Sequence, residues 1–364
     1  GAEKEAEAFG FQGRSVMIDA NERMSVDVLL TGANGRLGEA VAREFAHTAP
    51  TLRVAALGRS LLDAAEQEAV HEAFSRLAPR VVVNAAAFTD VAAAQAAARN
   101  SAALDGVLRA NARAPEVLAQ ACAAHGASLI HFSTDYVFSG GGSRMRTEVE
   151  KPRPFGVYGR SKRAGEAALE HVGRQNPTFR YLIFRLSWLH GAPGDFVSKV
   201  LDAALAGRLS RTRNDQWGRP TSYESAAKLA VQTTQRELMN EGAQNSLHVT
   251  IPRGIYHFAE PGPVVNRLRL AKLILGMGAV KLAERGCLFE SEMLRRAGES
   301  LQGCRMHDRA RPANCRLNCG KLSGLMAIDC FSWNYYVDKS VENFLQSRLL
   351  GMEEASDTCL DKEN

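Results

Sequence analysis

The stretch "VYGRSK" sets Tyr158 and Lys162 four residues apart. On a helix that spacing puts a phenol and an ammonium on one face. A cation beside a phenol favours the phenolate, so the pair predicts a tyrosine of lowered pKa able to give and take a proton near neutral pH. Such a pair is common by chance and gains meaning from its surroundings. Upstream, "HFSTDYVF" ends an apolar run in Thr134 and Asp135, and "LLTGANGRLGEA" spaces Gly32, Gly35 and Gly38 at three-residue intervals. Glycines so placed between a strand and a helix let the backbone approach a pyrophosphate, and the helix N-terminus adds amide donors and a favourable dipole. The expected ligand is a dinucleotide. The second strand ends "AALGRS" and offers Arg59, with Arg36 in the glycine turn, where NAD binders commonly carry a carboxylate. Cationic groups there favour NADP(H) over NAD(H).

These residues need a scaffold that brings loop ends together. Short apolar, β-rich runs at residues 26–31, 53–57, 80–87, 128–133 and 181–187 read as buried strands, and 254–259 as a further strand. Helical stretches lie between them at 35–46, 63–77 and 104–125. This alternation predicts an α/β fold, a doubly wound parallel Rossmann sheet with a smaller, mixed C-terminal substrate-binding region. The expected boundaries are a loose leader over 1–24 and a dinucleotide-binding domain over 25–190 with returning segments near 220–259. A mainly substrate-binding region over 191–350 and a loose tail over 351–364 complete the chain.

Composition narrows the class. The chain has 364 residues, 45% of them apolar, and a net charge of +5. That balance suits an anionic small molecule, and no dense Lys/Arg block argues for nucleic acid. No apolar run is long enough for a bilayer, and the first two dozen residues lack the apolar core of a secretory signal. Seven scattered cysteines without a Cys-x-x-Cys pair read as reduced cytoplasmic thiols. Cys315 and Cys319 could form half a zinc site, but no second pair accompanies them, and no metal is expected.

Taken in order, "TGANGRLG", "VVVNAAAFT", Asn111 in "RANARAPEVLA", "STDYVF", "VYGRSKRAGE", "RLSWLHG", "NDQWGRPTS" and "GIYHFA" resemble the extended short-chain dehydrogenase/reductases. Within them the chain is most similar to the dTDP-4-dehydrorhamnose reductase family. The resemblance implies NADPH-dependent reduction of a nucleotide-activated 4-keto-6-deoxy sugar. Tyr158 would protonate the ketone oxygen, Lys162 would tune Tyr158 and hold the nicotinamide ribose, and Thr134 would bind the reacting oxygen beside Asp135, with Asn111 supporting the relay. Gly32, Asn34, Gly35, Arg36, Leu37 and Gly38 would cradle the cofactor, with Arg59, Asp63, Ala64, Ala85 and Ala86 along its length. Thr134, Trp188 and Arg219 would contact substrate.

Each assignment has a plainer reading: Trp188 as core filling, Asp63 as a helix cap, Asn111 as a group satisfying backbone inside its helix. The sequence also departs from the family pattern. "AAAQAAARN" replaces its acidic stretch after "NAAAFTDV", Asn318 replaces an aspartate in "RPANCRLNCGKL", and residues 260–310 match poorly. That ending also resembles the regulatory beta subunit of methionine adenosyltransferase at Arg311, Pro312 and Asn314, so a non-catalytic cofactor-binding subunit is the alternative. A methionine adenosyltransferase catalytic subunit and a second copy of this chain are the candidate protein partners. Epimerase and dehydratase readings are disfavoured by Arg59 and by Tyr136, which stands where dehydratases need a glutamate.

Overall fold

The structure, a computed structural model, describes residues 7–11, 14–18, 24–240, 251–305 and 310–360, with side chains over 24–239, 251–305 and 310–348. In the stretch read as a leader, β1 (Glu7–Phe11) and β2 (Arg14–Ile18) form an antiparallel hairpin. Residues 1–6, 12–13 and 19–23 lie outside the described residues. An alternation follows: β3 (Val28–Thr31), α1 (Arg36–Thr48), β4 (Val54–Leu57), α2 (Gln67–Leu77), β5 (Val81–Asn84), α3 (Val91–Ala97), α4 (Ser101–Leu108), α5 (Ala114–His125), β6 (Ser128–Thr134), α6 (Val157–Gln175) and β7 (Tyr181–Leu186). Next come β8 (Leu189–His190), α7 (Phe196–Leu205), β9 (Arg211–Arg213), β10 (Trp217–Gly218), β11 (Thr221–Ser222), α8 (Tyr223–Asn240) and β12 (Gly254–Phe258). The chain ends with β13 (Val265–Asn266), α9 (Arg267–Glu284), α10 (Leu288–Ser300), β14 (Gln302–Cys304), α11 (Gly320–Ser323) and α12 (Trp333–Leu360).

Two compact units result. The first comprises Gly1–Ser187, Tyr223–Ala259 and Asp308–Cys330; the second comprises Trp188–Ser222, Glu260–His307 and Phe331–Asn364. The first unit holds an eight-stranded sheet of order β12-β7-β6-β5-β3-β4-β1-β2. Its strands are parallel from β12 to β4, and β1 joins β4 antiparallel. β3 and β5, apolar but for their closing Thr31 and Asn84, are buried along their whole length, as a sheet covered on both faces requires. Leu37, Val41 and Phe45 bury one stripe of α1. Each such side chain contributes about 1.5–3 kcal/mol on leaving water. Order reverses between β3 and β5, since β3 leads through α1 to β4 on one side and α2 leads to β5 on the other. A crevice at the carboxyl ends of such neighbours is the ligand position in open α/β sheets.

Two helices differ from expectation. The helix expected over 104–125 is interrupted by a π-helical turn, Arg109–Arg113, between α4 and α5. The helix expected from residue 63 starts at Gln67, because residues 63–66 form a turn in which Asp63 Oδ1 accepts from the Ala65 amide at 3.0 Å.

The second unit is built from small sheets and helices. β8 pairs with β11, β10 with β13 and β9 with β14, while α9 packs against α7, α10 and α12. α12 continues through part of the expected tail, and residues 361–364 lie outside the described residues. Among the described residues no helix is long and apolar enough to cross a membrane.

Candidate active site

Gly32 follows β3 with φ +71°, a left-handed conformation that a side chain strains. A Cβ there would meet the Cα and N of Ala86 at 2.5 Å, and one on Gly38 would run into the Gly32 carbonyl oxygen. The turn therefore lies against the backbone after β5. Gly35 precedes α1 without a side-chain cap, leaving the first-turn amides to another acceptor. Such a cradle fits a pyrophosphate. Asn34 and Arg36 are exposed, Leu37 is buried, and Ala85 and Ala86 line the end of β5 half-buried.

At the far end of the crevice, a Cβ on Gly58 would strike the Asn34 side chain, so the loops after β3 and β4 close on one another. Arg59 is exposed, with Nη2 3.6 Å from Asp63 Oδ2. Arg109, which the sequence reading did not single out, reaches the same oxygen at 3.2 Å and Glu66 at 2.5 Å. Burial raises the Asp63 pKa, but the Ala65 amide, Arg109 and Arg59 outweigh it and hold the carboxyl below its ordinary value. Asp63 thus anchors two arginines and caps no helix. Ala64 beside it is buried.

Around Tyr158, side chains from β6, α6 and the π turn converge. Thr134 ends β6; its hydroxyl accepts from the Tyr136 amide at 3.2 Å and donates to Asp135 Oδ1 at 3.1 Å. Tyr158 and Lys162 lie on α6. Tyr158 packs against the buried cluster of Ala94, Ala97, Val107 and Val157, with its ring edge-on to that of Tyr136. Burial pushes its phenol above the ordinary value; a hydrogen bond with Thr134 opposes this, and Asp135 and Tyr223 add to it. This reverses the lowered pKa expected from the Tyr/Lys spacing. The groups that act on the phenol are Thr134, Asp135 and Tyr223, while Lys162 Nζ donates to the Phe132 carbonyl at 2.7 Å. Burial brings Lys162 itself down to about 8, against the pull of Glu166.

Asn111 sits fully buried in the π turn. It accepts from the Phe88 amide at 2.9 Å and donates to the Phe88 carbonyl at 2.9 Å and to Ser161 Oγ at 3.0 Å. It ties the loop after β5 to α6, and Ser161 passes the link to the Tyr158 carbonyl.

Two groups of side chains went unassigned in the sequence. Thr31, Asn84, His131 and Lys162 form a buried line from β3 to α6. Glu166, one turn after Lys162, receives Arg185 at 2.8 and 2.7 Å and Ser133 at 2.6 Å, all buried. This brace locks α6 to β6 and β7. Removing one partner from a buried pair of this kind costs about 3–5 kcal/mol. Glu166 stands at helical spacing from Lys162, a signal that could have found it.

In the second unit Trp188 is 7% exposed with φ +49°, and its indole Nε1 is buried with no hydrogen-bond partner among the described residues. The Arg267 guanidinium stacks 3.8 Å from its ring centroid and 4.5 Å from that of Phe196. Arg219 lies half-buried between β10 and β11. Among the described residues no group of three or more His, Cys, Asp or Glu could hold a metal ion.

A glycine turn at the switch point of a parallel sheet, with Thr, Tyr and Lys on the adjacent strand end and helix, defines an extended short-chain dehydrogenase/reductase. The family model described as the RmlD substrate binding domain matches residues 26–346. The dTDP-4-dehydrorhamnose reductase of Streptomyces griseus is 38% identical over 236 residues, 64% of this chain and 70% of that protein. The dTDP-4-dehydrorhamnose reductase of Sinorhizobium fredii is 31% identical over 307 residues, 84% and 93% of the two chains. The crystal structure of dTDP-4-dehydrorhamnose reductase from Bacillus anthracis, solved in complex with NADP, superposes with a TM-score of 0.66 at 24% identity, covering 89% of this chain and 100% of that one. This chain belongs to the dTDP-4-dehydrorhamnose reductase family, a family of NAD(P)-dependent oxidoreductases.

Proposed function

We propose that the protein reduces a nucleotide-activated 4-keto-6-deoxy sugar with NADPH, in the manner of a dTDP-4-dehydrorhamnose reductase. One observation carries the reading: a Tyr158 phenol on which Thr134 acts, on the helix that bears Lys162 and is tied through Asn111 to the loop after β5. The nicotinamide, when bound, supplies a hydride to the ketone carbon. Tyr158 gives its proton to the ketone oxygen, and burial suits it to this direction because the phenol stays protonated through neutral pH. Thr134 steadies that oxygen. Lys162 holds the ribose. Gly32, Gly35 and Gly38 admit the pyrophosphate, and Arg59 and Arg36 favour the 2′-phosphate of NADP(H).

Lys162 would serve cofactor binding in either role, whereas Thr134 beside a Tyr158 phenol is needed for proton transfer, which supports catalysis over a regulatory cofactor-binding subunit. The test is NADPH oxidation across a panel of 4-keto nucleotide sugars, with Tyr158→Phe as the paired variant. Turnover on one or more sugars, lowered about 10²–10⁴-fold in Tyr158→Phe with NADPH binding retained, is expected. No turnover on any sugar, combined with co-elution with a methionine adenosyltransferase catalytic subunit, would favour the regulatory role.

A further inference from the structure

The line Thr31–Asn84–His131–Lys162 fixes proton positions. Asn84 Oδ1 receives the Ala86 amide at 3.1 Å and the Thr31 hydroxyl at 2.9 Å. A backbone N–H can only donate, so that atom is the amide oxygen. Asn84 Nδ2 then faces His131 Nδ1 at 3.1 Å. An amide NH₂ also only donates, so His131 Nδ1 is a bare acceptor. The neutral imidazole must carry its hydrogen on Nε2, which lies 3.5 Å from Lys162 Nζ. The other partner of Lys162 is the Phe132 carbonyl, an acceptor. All four side chains of the line are buried.

We propose that His131 is a positioning residue for Lys162: locked by Asn84 with its hydrogen on Nε2, it donates to the lysine amine and favours the neutral form of that amine. An ammonium has no lone pair and meets the Nε2–H donor to donor. A neutral amine accepts from Nε2 while donating to Phe132. The other ionisable groups at this place are Tyr158 and Glu166 on α6, Asp135 after β6 and Tyr223 at the start of α8, with Arg185 on β7 and Arg163 holding Glu166. Of these, Glu166 favours the ammonium and opposes His131. Burial keeps His131 itself uncharged, well below its ordinary pKa, and Lys162 adds to this. The sheet strand that carries the glycine turn is thereby linked to the proton state of the reactive helix.

The proposal rests on the reductase reading only for its effect on turnover, and its first test needs no substrate. In the cofactor-free full chain labelled with ¹⁵N, the histidine whose signals vanish in His131→Gln should show Nδ1 bare and Nε2 protonated from about pH 6 to 9. Its Nε2 signal should move with a midpoint near about 8, the value burial sets for Lys162, and this movement should disappear in Lys162→Met. A proton on Nδ1, or a His131 signal that does not follow Lys162, would overturn the proposal. In turnover, glutamine can turn its carbonyl toward the ammonium, so His131→Gln should move the alkaline limb of the kcat profile up by about one pH unit. An unmoved limb alongside a normal kcat would reduce His131 to packing. If His131→Gln does not fold, assignment through ring-to-backbone couplings in the unmodified chain and in Lys162→Met keeps the first test decisive. If no sugar is reduced, the reductase reading fails while the ¹⁵N result still decides this one.

Discussion

Arg59 and Asp63 make an exposed pair at 3.6 Å, and exposed pairs of this sort contribute little to stability. Their value lies in what the guanidinium can reach. Asp63 is shared between Arg59 and Arg109, so Arg59 is oriented yet open to solvent, 76% exposed along its side chain. A dianionic 2′-phosphate would draw it by charge-assisted hydrogen bonds, each worth about 1.5–3 kcal/mol. Arg59→Ala should therefore weaken NADPH binding by about tenfold or more and leave NADH binding nearly unchanged, as read by fluorescence titration. Equal losses for both cofactors would place Arg59 elsewhere. The raised pKa of Tyr158 also belongs to this scale. Spacing put Lys162 on the correct helical face, but no pattern in "VYGRSK" tells that the amine turns to a carbonyl of β6.

At the scale of elements, β12 closes one end of the sheet through His257. Its backbone amide donates to Glu148 at 2.9 Å, Nδ1 meets the Arg146 carbonyl at 3.1 Å, and Nε2 faces Arg185 at 3.4 Å. Burial and Arg185 push its pKa down to about 3. The folded protein thus keeps His257 neutral where the unfolded chain, at about 6.5, takes up a proton. Stability from this group is full above about pH 6.5 and is lost as pH falls toward the folded value, with a slope approaching about 1.4 kcal/mol per pH unit. Denaturant unfolding between pH 7 and 5 should show a shallower loss in His257→Gln than in the unmodified chain; identical slopes would contradict it.

Element order and the six parallel strands were legible because each strand is a short apolar run between polar residues. The π turn was not. Leucines and alanines in 104–125 keep helical spacing throughout, and the one-residue widening that turns Asn111 inward is set by its contacts with Phe88 and Ser161, which are distant in sequence. Asn84 and His131 were likewise hidden inside apolar strand patterns, where a polar residue declares its role only through its partner.

At the scale of the whole molecule, each unit carries its own part of the proposed chemistry: the first holds the glycine turn and Tyr158, the second Trp188. In the second unit an indole N–H is buried with no acceptor among the described residues. Such a group costs about 1–3 kcal/mol unless a ligand or water satisfies it. Trp188→Phe keeps an aromatic plate for Arg267 and removes the N–H. It should leave the melting temperature within a few degrees and raise KM for the sugar by up to about tenfold, the equivalent of one hydrogen bond. An unchanged KM would make Trp188 simple filling.

Hydride delivery to the sugar ketone is tested most directly by isotope transfer. NADPH deuterated at nicotinamide C4, prepared in each stereochemical form, would be turned over with the sugar identified in the panel and the product examined by mass spectrometry and NMR. One form should place a single deuterium on the carbon that bore the ketone and the other none, with the transfer suppressed in Tyr158→Phe. A product without deuterium from either form, or NADPH that is bound but never consumed, would contradict the reductase assignment.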